Sequence, residues 1–246
     1  MKTLIILSAL ITGLAFTQEI FADSAPKDFR VIMRDGGGMS RQGAEYFISK
    51  DSSYADIWQD DAETKIYFKV SNSDLNKLYT IINNNDFEDV ETFREEVYDR
   101  GGTTISVYAD GKSYEKVDAG MTFVVEEWRD EFAAVENEIR RIVGAELDML
   151  KKEVTITIDE NIMEVDKIVN FNIGDFVYMS AKDGWNKTVT VSLYPGQHYM
   201  YFTMLNKEIT TEPGTKIFAQ GDGIVNIGKD TQTLYIYREG EKILWK

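Results

Sequence analysis

Hydrophobic periodicity changes once along this chain, and the change separates what its two halves can fold into. Before residue 144 apolar residues recur in two places with the spacing of a helix; after Glu153 only strand-like alternation remains. Leu75, Leu78, Tyr79 and Ile82 fall at helical spacing, and Ser71 stands three residues before Asp74 as in a capping box. The pattern predicts a helix from about Ser73 that stops in Asn83-Asn84-Asn85. Trp128, Phe132, Val135, Ile139 and Ile142 form a second stripe, with Glu127, Asp130, Glu131, Glu136 and Glu138 off it. Gly144 is expected to interrupt that helix, leaving residues 145–152 as a linker or as its last turns.

Around these helices lie strand signals at 29–33, 45–50, 64–70, 103–109 and 112–118, the last two flanking Asp110-Gly111. That pair suits a type I′ hairpin turn, in which both central residues need positive φ. The order predicts an acidic α+β domain over residues 23–150, an antiparallel sheet with two helices on one face. Residues 151–246 then offer short alternating runs at 154–158, 168–172, 176–180, 188–193, 199–205, 216–219, 224–227, 234–237 and 243–245. The turn signals among them are Asp183-Gly184, Pro195-Gly196, Pro213-Gly214, Asp222-Gly223 and Glu239-Gly240. This spacing predicts an all-β sandwich or small barrel.

Residues 1–22 read as a signal peptide: Lys2 is a positive start, 4–16 is an apolar or small-residue run, and Ala22 ends a cleavable segment. The run is shorter than the ~20 residues of a membrane-spanning helix, so an exported protein without stable membrane insertion is expected, in the periplasm or outside the cell. The sequence contains no cysteine, so a lipid-modified cysteine and disulfides are excluded, and the fold must be stabilised by buried apolar surface. The net charge is −15, and residues 23–150 hold 15 basic against 28 acidic side chains, whereas 151–246 hold 11 against 13. Such a surface repels phosphate, which argues against nucleic acid and anionic membrane as partners.

With one histidine, His198, and no cysteine, HExxH zinc sites and thiol chemistry are excluded. His198 shares a strand face with Met200, Phe202 and Met204, which predicts an imidazole at the margin of a core with a local hydrogen bond. Residues 38–43 depart from a nucleophile elbow by one residue and lack the lysine of a phosphate loop, so they read as a hairpin loop. Asp56, Asp60, Asp61 and Glu63 read as an acidic loop and are the metal candidates, although they match no calcium-loop spacing. Asn186-Lys187-Thr188 fits a glycosylation acceptor pattern. No cofactor is implied.

Alternation along the later strands places Tyr194, Tyr199, Tyr201, Tyr235 and Tyr237 opposite the core positions, on what reads as one sheet surface. Tyrosine offers an apolar plane with a polar tip, suited to a glycan or protein ligand, or to burial against the first domain. The expected function is a non-catalytic exported protein with a β-sandwich binding or adhesion module. The alternatives are an exported hydrolase using paired carboxylates in an interdomain cleft, and a structural envelope component.

Overall fold

The computed structural model describes residues 24–39, 41–162, 167–174, 176–179, 187–206 and 217–246; the expected signal peptide, Asp183-Gly184, Asn186 and Pro213-Gly214 lie outside them. The protein is mostly β, with two large sheets, one of them nearly a barrel, and two α-helices. In chain order the first part contains β1 (Arg30–Gly37), β2 (Gln42–Ser49), β3 (Ser53–Gln59), β4 (Ala62–Phe68), α1 (Asn72–Asn84), β5 (Thr92–Arg94), β6 (Gly101–Ala109), β7 (Lys112–Asp118), β8 (Thr122–Val124) and α2 (Arg129–Leu150). The second contains β9 (Lys152–Ile158), β10 (Lys167–Ile173), β11 (Phe176–Met179), β12 (Thr188–Leu193), β13 (Gly196–Asn206), β14 (Ile217–Ile227), β15 (Thr233–Glu239) and β16 (Lys242–Trp245).

The first sheet is antiparallel throughout, in the order β4-β3-β2-β1-β6-β7. One face carries Val31, Met33, Ile48, Ala55, Phe68, Ile105 and Val107, and both helices close over it with Leu75, Leu78, Ile82, Phe132, Val135, Ile139 and Ile142. The opposite face meets solvent, where Tyr67 is 67% exposed. Asp110 and Gly111 both have positive φ, 51° and 72°, as the predicted hairpin turn requires. Ser71 caps α1 through its side chain, accepting from the Asp74 amide.

Three segments depart from the sequence pattern. The acidic loop is the strand β3 and its turn into β4; its inward residues, Ser53 and Ala55, are too small to give an apolar alternation. Asp222-Gly223 lies inside β14 rather than in a turn, because a strand tolerates glycine where a neighbour approaches, here the Trp245 ring. Helix α2 runs without a break through Gly144 to Leu150, since the stripe up to Val143 and Leu147 beyond it pack on the core on either side of the glycine, and one glycine costs only about 1 kcal/mol.

The second sheet runs β11-β10-β13-β14-β16-β15-β9-β12, antiparallel except at the β14–β16 and β15–β9 pairs. Laid flat, its edges would stand about 34 Å apart. Instead Tyr178 of β11 and Val191 of β12 belong to one buried cluster with Ile156, Phe171, Phe202 and Ile236, so the sheet curls around its own core. The two clusters share no residue, and the chain passes from one to the other at Lys151, between α2 and β9.

An ionic cluster ties the helices together: Arg141 reaches Asp74 (2.5 Å) and Glu138 (2.7 Å), and Lys77 reaches Glu138 (3.2 Å). Burial raises the Glu138 pKa, but the hydrogen bonds and charges of Arg141 and Lys77 outweigh it and hold the group below its ordinary 4.5. Hydrogen bonds from Ser71 and Arg141 likewise hold Asp74 below 3.8. Folded pKa values below the unfolded ones stabilise above the ordinary values, and this contribution is lost as the pH falls through the lowered ones. Glu138→Gln is expected to be less stable than wild type at pH 7, with the gap closing as thermal melts are taken to lower pH; a gap that persists in acid would refute this role. Space is open around Gly144, with no atom within 4 Å of an added Cβ. Gly144→Ala should raise the urea stability by about 0.5–1 kcal/mol, and a loss of stability would argue against a continuous helix.

Candidate functional site

The two sheets meet where the β3–β4 hairpin touches the corner between β12 and β13. Thr64, buried on the inner face of β4, accepts a hydrogen bond from the Gln197 amide (2.6 Å) and donates one to the Gln197 carbonyl (3.0 Å). Gly196 makes this approach possible: it has φ 142°, and a Cβ there would overlap the Thr64 side chain. The Glu63 amide adds a longer bond to the Gln197 side chain, 3.4 Å.

Beside this contact opens a cleft of about 690 Å³. One wall is the turn end of the first sheet, with Tyr46, Ile57 and Trp58; the other is Tyr194, His198 and Tyr199 from the corner and start of β13. Its floor is nearly free of side chains. Gly36 and Gly37 have φ of 138° and 94°, and a Cβ on Gly43 would overlap both the Trp58 ring and the Asp35 carbonyl. The indole therefore rests on bare backbone, and this requires glycine at Gly43.

His198 forms the back of the cleft. Its ring is 3% exposed, Nε2 lies 2.8 Å from the Tyr194 carbonyl oxygen, and its centroid is 4.5 Å from the Tyr194 ring. Of the cleft's acids, Asp35 accepts from the Thr103 hydroxyl (2.9 Å) and pairs with Arg140 (2.6 Å), so both its oxygens are engaged. Asp99 is the other, and none of the described lining residues is Lys or Arg. At the mouth the Tyr199 hydroxyl donates to Asp222 (3.1 Å). Burial first, then this bond and the charges of Asp222, Asp60 and Asp61, raise the phenol above its ordinary value. Such a cleft disfavours anions and admits neutral or positively charged groups.

The five tyrosines are divided among three places. Tyr194 and Tyr199 line the cleft, and Tyr201, 39% exposed, continues outward along β13. Tyr235 and Tyr237 stack on each other at 6.1 Å, three strands away across β14 and β16, with Lys246 over both rings and the Tyr235 hydroxyl donating to Asp159. Alternation places Tyr199, Tyr201, Tyr235 and Tyr237 on one face, but strand order decides which of them are neighbours. The metal candidates also separate: Asp56 pairs with Lys65 at 3.2 Å, while Asp60 and Asp61 lie in the turn. Among the described residues no group of three or more His, Cys, Asp or Glu could hold a metal ion. Residues 38, 39 and 41 lie between the paired strands β1 and β2, and Ser40 lies outside the described residues.

Trp58 and Tyr46 carry no sequence signal for this role, because Trp58 becomes a wall residue only through its pairing opposite Gly43. No protein-family model, curated protein or solved structure matches this chain.

Thr64→Val preserves shape but leaves the Gln197 amide and carbonyl without their partner, which should cost about 1–3 kcal/mol in urea unfolding. A variant as stable as wild type would show that this contact does not hold the sheets together.

Proposed function

We propose that the chain is an exported, non-catalytic binding protein, in which an α+β unit over residues 23–150 and a β-sandwich module over 151–246 together form the walls of a glycan-binding cleft. The observation that carries this reading is the cleft's lining: an indole and three phenols, the carboxamides of Gln42, Gln59 and Gln197, a glycine floor and no described cationic residue. A neutral sugar has apolar C–H faces that stack on aromatic planes, and hydroxyl edges that pair with carboxamides and backbone groups. The volume of about 690 Å³ falls within the range of small-molecule sites. The engagement of Asp35 by Arg140 and Thr103 favours binding over hydrolysis, because a catalytic carboxylate must be available to the substrate.

Export is supported by Lys2, the apolar run 4–16 and Ala22. Among the described residues no helix is long and apolar enough to cross a membrane.

A panel of neutral oligosaccharides built from glucose, xylose, mannose or N-acetylglucosamine tests the reading by calorimetry. Trp58→Ala is expected to weaken the binding found by roughly 30-fold, the equivalent of about 2 kcal/mol for an aromatic anchor. Tyr235→Ala, distant from the cleft, should bind as wild type does. Wild-type affinity in Trp58→Ala would exclude the cleft, and shortening of the sugars during incubation would favour the hydrolase.

A further inference from the structure

A second cavity, of about 580 Å³, opens where β14 and β16 separate, and it is lined by Gln220, Asp222, Glu241, Lys242 and Leu244 among others. The seam is sparse: Gln220 and Lys242 are the one pair in register between the two strands, joined by a bond from the Gln220 amide to the Glu241 carbonyl. Beyond that pair no other residues of the two strands are in register, and the Ile243 carbonyl lies against Gly221 and the Trp245 ring against Gly223.

The two cavities meet at one hydrogen bond. Tyr199 lines the cleft between the sheets and Asp222 lines the seam cavity, and the hydroxyl of the first donates to the carboxylate of the second at 3.1 Å. Both side chains stand on the outer face of the curled sheet, because Met200 and Phe202 of β13 and Val225 and Ile227 of β14 face its core. On that same face Tyr201 lies opposite Asp222 and Ile224 opposite Tyr199, so aromatic, apolar and polar groups continue between the two openings. Tyr201 is 39% and Ile224 is 41% exposed.

From this continuity we infer that the ligand is a chain rather than a single sugar. It occupies the cleft with one end, passes over the Tyr199–Asp222 pair, and lays its other end in the β14–β16 seam. The inference rests on the glycan reading of the cleft and adds the length of the ligand and a second set of contacts. Asp222 and Glu241 are balanced in part by Lys242 at the seam, which suits an uncharged polymer whose hydroxyls donate to the carboxylates and accept from the ammonium.

The test compares disaccharides and hexasaccharides of the same neutral series on the intact protein. Wild type should bind the hexasaccharide at least 10-fold more tightly than the disaccharide. Glu241→Ala combined with Lys242→Ala, two exposed positions, should bring the hexasaccharide down to the disaccharide affinity, while Trp58→Ala should weaken both. Equal affinity for the two lengths in wild type, or a length gain that survives the double substitution, overturns the chain-length inference and leaves the cleft reading intact. Failure of every sugar of either length to bind overturns the glycan reading and this inference with it.

Discussion

The hydroxyl of Thr64 is the contact on which the candidate site depends. Each large sheet has its own core, so nothing in their separate packing sets how they face one another. A single side chain on β4 meets both the amide and the carbonyl of Gln197, replacing with one hydroxyl the pair of bonds that a neighbouring strand would make. Because Thr64 is buried, the interaction is shielded from water, and because Gly196 has no side chain the two backbones come close enough to use it. The cleft is the space left beside that meeting point.

The cleft is defined as much by missing side chains as by those present. Gly36, Gly37 and Gly43 keep the floor low, and two of these positions, Gly36 and Gly43, seat the Trp58 ring against backbone. Backbone of this kind loses more conformational entropy on folding than any other, so a cluster of glycines next to a strand end is a stability cost that the helix-covered core has to offset. Helices α1 and α2 supply that support from the sheet's inner face, through their apolar stripe and the cluster of Asp74, Lys77, Glu138 and Arg141. The helices cover the face that carries Ala55 and Ile57, whereas Gly36, Gly43 and Trp58 alternate to the other face, so the site opens around the turn end of the sheet.

Much of the fold was legible because its signals are local. The α1 cap at Ser71, the stripe of α2, the Asp110-Gly111 turn and the inward set Met200, Phe202 and Met204 each depend on residues close together in the chain, where periodicity and turn chemistry act directly. His198 followed the same rule and sits at the core margin with a local bond to Tyr194. β3 escaped notice because Ser53 and Ala55 bury without being bulky, and Gly144 misled because a single poor helix former is outweighed by tertiary packing.

Residue type and short-range spacing are enough to set the helical and strand periods, the faces they bury, an acidic surface and the absence of cysteine chemistry. Adjacency comes from the long-range pairing of strands. Tyr199 and Tyr235 share a face by alternation, yet strand order places the first at a cleft and the second three strands away beside Tyr237. Trp58, Gly43 and Tyr194 come together from separate hairpins and a distant corner. Their meeting depends on strand pairing and on the Thr64–Gln197 contact across 133 positions of chain, and no local pattern encodes a separation of that length.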